Sequence, residues 1–441
     1  MLVGCRRPES RPVTAPPSQS WAKTYGGTSE DHAWAVHQTS DGGYIVAGYT
    51  RSFGAGLDDS WLLKLNSDGA VAWQKTYGGE AWDYAFSTKE TGDSGCIVAG
   101  DTHSFGAGYY SDVWVLKLSS EGTVTWQKRY GASKWDGAHS IQQTSDGGYI
   151  VAGWTQSFGA RCEDLSVLKL NGDCTVAWQK RYCGIHDDRA RSIQQTSDGG
   201  YIVAGATESF GAGDQDFWVL KLDSDGTVSW QKTYGGTKCD EAHSIQVTTD
   251  GGYIVVGNTE SFDAGDVDFW VLKLNSDGTI TWQKRYGGPR NDSASSIQQS
   301  RDGGYVVAGY TASFAAHNYD FWVLKVNSDG TVAWQKTYGG TKEEEARSIQ
   351  QTRDGGYIVA GYTQSFGAGG NDFWILKLDS DGRILFNPAS GASVRDTNVV
   401  PVDTNCTVVD TTATVTNTSA TVTDTNATVT DTNATIMQQA P

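Results

Sequence analysis

The chain is short of positive charge, of long apolar runs and of paired cysteines, and each shortage excludes something. Its 34 Lys and Arg stand against 51 Asp and Glu, a net charge of -17 over 441 residues. That balance opposes a phosphate backbone, and no basic stripe with interleaved aromatics interrupts it, so nucleic acid is not an expected partner. No stretch is long and apolar enough to cross a membrane as a helix. The 7 cysteines are scattered and odd in number, without CxxC or Cys/His spacing, which excludes a disulfide framework and a zinc site. GxSxG, HExxH and P-loop motifs are missing as well. No cofactor is expected.

What is present is glycine, tryptophan and tyrosine, at 54, 17 and 20 residues, arranged as a repeat. Trp21, Trp73, Trp126, Trp178, Trp230, Trp282 and Trp334 recur at a step of about 52 residues, and Phe386 falls on the next beat. Asp59, Asp112, Asp164, Asp216, Asp268, Asp320 and Asp372 keep the same step. Each unit reads as four strands, as in residues 346–351, 356–360 and 373–378 with a fourth like 332–336, rich in β-branched residues and in alternation. Ser-Asp-Gly-Gly and Asn/Asp-Ser-Asp-Gly supply tight hairpins. Four antiparallel strands recurring seven times predict an all-β fold, a seven-bladed β-propeller of four-stranded antiparallel blades over residues 21–387. The lone strand at Trp21 is expected to complete the last blade, with residues 384–387 as the alternative occupant.

Two segments flank the repeat. Residues 1–20 carry Pro8, Pro12, Pro16 and Pro17, a linker composition, after Leu2-Val3-Gly4-Cys5. That tetrapeptide resembles the lipobox of bacterial lipoproteins, which makes Cys5 the lipidation candidate and implies an exported or cell-envelope location. Residues 388–441 are Thr/Asn-rich and of low complexity, with a heptad at Val422 repeated at Val429. Such a segment has too little apolar surface for a core and reads as a disordered tail or stalk.

Within the repeat, Gly-Gly-Tyr-Ile-Val-Ala-Gly followed by Asp-Phe-Trp resembles the Kelch repeat across residues 21–387. Kelch ends its second strand in two glycines; here a single Gly is followed by a variable residue. Asn327-Ser328-Asp329-Gly330-Thr331 is similar to the Asp-box of sialidase-like propellers, and Gly330 to Trp334 resembles the Gly-x-x-x-Trp of quinoprotein propellers. All three likenesses imply blade scaffolding, which does not fix function. Gly92-Asp93-Ser94-Gly95 mimics the nucleophile segment of chymotrypsin-like proteases, but it aligns with the first hairpin turn of the other blades.

Because the units are copies, whatever recurs in every blade is scaffold and whatever departs is a candidate for function. The residue after the repeating Ala reads Trp34, Phe86, His139, Arg191, His243, Ser295 and Arg347. Thirteen of the 17 tryptophans occupy the two repeating positions; Trp34, Trp82, Trp135 and Trp154 do not, and all fall in blades 1 to 3 together with Tyr109 and Tyr110. Exposed, these rings would suit sugar rings or peptide side chains; the alternative is that they pack under their own loops. Asp31, Asp83, Asp136, Asp188, Asp240, Asp292 and Glu344 form an acidic ring that either holds cations or accepts backbone N–H bonds, the second favoured because one acid per blade does not guarantee convergence. Cys162 and Cys183 flank one hairpin, either as a cross-strand disulfide or as two free thiols. The expected function is a non-catalytic binding or scaffold propeller, a monomer that recognises a glycan or protein through its loop face. The alternative is a carbohydrate-active enzyme, of glycoside hydrolase or lyase type, using the acidic ring and the channel-mouth His and Arg.

Overall fold

A computed structural model describes residues 20–384 except 107–108, 159, 263–265 and 316–317, together with the backbone of short segments between 393 and 438. Among the described residues there are strands and turns but no helix, so none is available to cross a membrane. Blade 1 consists of Asp31–Gln38, Tyr44–Thr50, Asp59–Leu65 and Val71–Gly78, paired in that order from the channel outward. The pattern repeats to blade 7, where Glu344–Gln351, Tyr357–Thr363 and Asp372–Leu378 have no fourth strand of their own among the described residues. Trp21–Gly26 fills that place, with Trp21 opposite Lys377 and Tyr25 opposite Phe373. The strand that leads into blade 1 is thereby hydrogen-bonded into the sheet of blade 7, and the ring closes.

The apolar residues form seven cores between blades rather than one at the centre. In one of them Ile254, Val256 and Phe269 of blade 5 pack against Tyr305, Val307, Trp322 and Leu324 of blade 6. Every third-strand tryptophan, such as Trp61, Trp218 and Trp322, is fully buried, and each such side chain contributes roughly 2–3 kcal/mol by its burial. A phenylalanine of the preceding blade meets Trp61, Trp270, Trp322 and Trp374, as Phe269 meets Trp322 and Phe373 meets Trp61, at 4.6 Å between centroids.

Fourth strands couple neighbours in a second way. Tyr25, Tyr77, Tyr182, Tyr234, Tyr286 and Tyr338 donate their hydroxyls to a glycine carbonyl in the next blade's outer hairpin, at 2.5–2.7 Å. Tyr130 does the same to Cys174 at 2.9 Å. The fourth-strand indoles lie over that same turn: Trp21 donates Nε1 to the Ser67 carbonyl at 3.1 Å, and a Cβ on Gly69 would come within 3.0 Å of its ring. Gly69 is also at φ 77°, so the turn requires glycine for its backbone and for its neighbour.

Beyond the fourth strands, seven segments of the tail pair antiparallel with the blades' outer edges, from Ser393–Asp396 on blade 6 to Thr435–Gln438 on the N-terminal strand.

The first hairpin of each blade is held by an aspartate that accepts its own turn's N–H and a lysine: Asp41 takes Gly43 N–H at 2.9 Å and Lys64 Nζ at 2.8 Å. Ser94 lies in this turn in blade 2, at φ 61°, where other blades place glycine, and its side chain is exposed. A left-handed non-glycine residue is strained, so Ser94→Gly is expected to stabilise the fold by about 0.5–1 kcal/mol. Denaturant unfolding monitored by tryptophan fluorescence tests this, and a lower midpoint would contradict it.

Candidate functional site

The side chains that differ between blades are displayed by a repeated backbone irregularity. In blade 1, Ala33 pairs with Gly48 and Ala35 with Ala47, leaving Trp34 without a partner: a β-bulge. The same shift occurs at Phe86, His139, Arg191, His243, Ser295 and Arg347. An extra residue aims its side chain out of the sheet, here into the axial channel. The opposing glycine is required by crowding, since a Cβ on Gly48 would lie 1.9 Å from the His32 carbonyl oxygen.

The seven bulged residues line the mouth of a central channel of about 950 Å3. One side is aromatic. Trp34 and Phe86 meet edge-to-face at 5.4 Å, Phe86 stacks on Tyr84 at 5.7 Å, and Tyr49 meets Tyr84 at 5.1 Å. Arg347 closes this arc, its guanidinium 4.5 Å from the centre of the Trp34 ring. Trp34 Nε1 is buried and has no partner among the described residues.

The other side is polar and internally paired. Arg191 donates to Glu241 at 2.8 Å and to His139 Nε2 at 3.0 Å, and Asn258 lies 3.1 Å from His243 Nε2. Burial, then the charge of Arg191, pushes His139 well below the ordinary histidine range. Burial likewise lowers His243 to about 4. Against the penalty of burial, His243 and Arg191 hold the Glu241 carboxyl below its usual value. Near neutral pH this arc presents neutral imidazoles and a paired carboxylate.

Deeper in the channel, serines and glutamines stitch consecutive blades together. Ser140 accepts the Ile193 N–H at 3.3 Å, and Gln142 accepts that of Gln195 at 2.9 Å. His37 and Lys89 replace the glutamine in blades 1 and 2. The Lys89 ammonium reaches channel water, yet the surrounding wall lowers its pKa.

A second aromatic group lies on the loops of the same face. Trp82, His103, Trp135 and Tyr110 form a ladder with successive centroids at 5.5, 5.2 and 5.5 Å, each contact edge-to-face. Trp82 is 41% exposed and Tyr109, beside the ladder in sequence, is 93% exposed. Trp154 is not part of it. Its indole nitrogen and the Asp101 carboxylate converge on Gly137, where a Cβ would lie 2.7 and 2.9 Å from them.

The acidic ring is engaged with its own loops. Asp188 accepts Gly184 N–H at 2.8 Å and the hydroxyls of Thr207 at 2.5 Å and Ser209 at 2.8 Å. Asp31, Asp83 and Asp136 repeat this set, and Asp240, Asp292 and Glu344 keep its backbone donor. Among the described residues no three metal-ligating side chains gather at one point. Cys162 and Cys183 do not form a disulfide. Strand register is the reason: Leu165 pairs with Tyr182, which sets Cys183 beside Asp164 and two residues away from Cys162. Cys5 lies outside the described residues.

Several mouth residues escaped the sequence reading: Tyr49, Tyr84, Glu241, Asn258, Glu345 and Tyr362. They also vary from blade to blade, so the rule that found the bulged ring applies to them too. Asp101 belongs to this set. It is buried, accepts the Ala138 N–H at 2.8 Å, and burial pushes its carboxyl up to about 7. Between pH 4 and 7 the folded protein therefore holds a proton that the unfolded chain has released, and this group's contribution to stability falls as pH rises. Asp101→Asn keeps the acceptor and removes the titration. The variant is expected to match the parent near pH 4 and to exceed it by on the order of 2 kcal/mol at pH 8. Denaturant titrations across pH 4–8 test this; a difference that does not vary with pH would refute it.

Comparisons with known proteins follow the fold. Residues 196–228 match a family described as "Domain of unknown function (DUF5122) beta-propeller". No curated protein matches. Among solved structures, the chain is similar to Sqt1 from Chaetomium thermophilum, at 12% identity over 80% of this chain and 85% of that one, with a TM-score of 0.42. It is also similar to a protein of unknown function from Dyadobacter fermentans, at 11% identity over 81% and 98%, TM-score 0.41. An endo-1,5-alpha-L-arabinanase from Thermotoga petrophila aligns at 11% identity over 82% and 100%, TM-score 0.28. The chain is a seven-bladed β-propeller with a short match to that propeller family.

Proposed function

We propose that this protein is a non-catalytic binding propeller of the cell surface, built on a Kelch-like or Asp-box-like scaffold and held by a lipid on Cys5. Its ligand is a glycan, taken by the aromatic ladder on the loop face, and it acts as a monomer. The observation that carries this reading is the ladder of Trp82, His103, Trp135 and Tyr110, continuous, partly exposed and, among the described residues, confined to one sector of the ring. Flat apolar faces edged by N–H and O–H groups match the alternating C–H and hydroxyl surfaces of a pyranose. Trp34 Nε1, a buried donor without a protein partner, offers a further polar anchor at the channel mouth.

Absence of turnover is supported by the pairing of the mouth. Glycoside cleavage uses two carboxyl groups whose environments push their pKa values apart. Glu241 and Glu345 are each committed to an arginine.

Binding of the full chain to cell-wall polysaccharides, measured by glycan array and then calorimetry, tests the proposal. Trp82→Ala and Trp135→Ala are each expected to weaken binding about tenfold, the equivalent of one aromatic contact of about 1.4 kcal/mol. Binding that survives both changes together removes the ladder from consideration. Release of reducing ends from any bound glycan would replace this reading with an enzyme.

A further inference from the structure

Every four-stranded blade ends in an outer strand whose far side carries unpaired N–H and C=O groups, and such edges recruit strands from other chains. A ring closes the sequence of blades but leaves all seven outer edges open. The tail supplies one candidate for each of them. Counted from Ser393, it shows seven consecutive heptads, beginning at Ser393, Val400, Thr407, Thr414, Thr421, Thr428 and Thr435. Seven heptads meet seven blades.

The pairing follows one rule throughout. Successive heptads visit blades 6, 5, 4, 3, 2 and 1, against the order in which the blades were laid down, and the seventh pairs with Trp21–Gly26. Each is antiparallel to its outer strand and in the same register. The fourth heptad residue always falls opposite the lysine two residues after the outer-strand tryptophan: Asp410 opposite Lys232, Asp424 opposite Lys128, Asp431 opposite Lys75. The uncharged members, Asn417 and Gln438, fall opposite Lys180 and Lys23. Alternation of Thr and Val in the paired stretch suits a strand.

We propose that the seven tail segments from Ser393–Asp396 to Thr435–Gln438 are a belt, one segment per blade, in which the chain's own tail occupies every outer sheet edge and denies it to foreign strands. The count of heptads is matched to the count of blades, so no edge is left over. Its last turn lies on the N-terminal strand, which is thereby held between the third strand of blade 7 and the tail. The strand that closes the ring is clasped from both sides.

Hydrogen exchange of the full chain, followed by mass spectrometry, tests the belt directly. In Thr407–Asp410, Thr414–Asn417, Thr421–Asp424 and Thr428–Asp431 about half of the amides are expected to exchange at least tenfold more slowly than in an unstructured peptide of the same sequence. Exchange at the unstructured rate would overturn the proposal. A second variant replaces Val422, Thr423, Val429 and Thr430 by proline, so that whichever N–H faces the edge is removed. It is expected to speed exchange at least tenfold in Val124–Gly131 and Val71–Gly78, with the third strands of the same blades unchanged. Unaltered protection of those two outer strands would equally overturn the belt.

Discussion

The structure depends on the contact by which one blade holds the next. A tyrosine hydroxyl from each fourth strand reaches a carbonyl in the following hairpin turn, at 2.5–2.9 Å in all seven steps. The indole two turns of the pleat away covers the same hairpin. A closed ring tolerates little variation in this step, because any error in the angle between neighbours recurs seven times before the ends meet. That requirement explains why the repeat is so nearly exact where blades touch. It also explains Cys174, which adopts φ 67° in blade 3 so that its carbonyl stays where a glycine carbonyl sits elsewhere.

Uniform blades then pose a difficulty for function, since identical units present identical groups around a circle. The bulge resolves it. A bulged residue is excluded from the ladder, so its side chain is released from the demands of pairing and of interblade packing. Trp, Phe, His, Arg and Ser occupy the same backbone position without disturbing the strands on either side. The cost falls on the opposing residue, which must be glycine. Scaffold and specificity are thus separated within a stretch of four residues.

Blade number, strand order and closure by the N-terminal strand were legible in the sequence, because they follow from period, turn chemistry and the lone strand at Trp21. The variable ring was legible as a position but not as a bulge, since Ala33-Trp34-Ala35 has no local signature of one. Tyr49, Tyr84 and Tyr362 reach the mouth from strand positions that alternation assigns to a face without saying which neighbour they meet. The Cys162–Cys183 geometry failed for a related reason, a register offset of two residues that turn length alone does not reveal. In the tail, two identical heptads were visible at Val422 and Val429. Their number over the whole segment carries the structural meaning, and composition discards number.

Order of assembly adds a last constraint. The N-terminal strand is made first and cannot find its partner until Asp372–Leu378 exists, so ring closure is necessarily among the longest-range contacts in the chain, with Trp21 opposite Lys377. Contacts of high sequence separation form late and at high entropic cost. Until then blade 7 lacks its fourth strand, and both the Trp21 strand and the third strand of blade 7 are open edges. A C-terminal segment arriving on the outer side of that same strand acts where closure is weakest, since it adds backbone hydrogen bonds to the one strand whose connection to its blade is not a hairpin. Seven otherwise equivalent steps therefore contain one inequivalent joint, and Thr435–Gln438 lies on it.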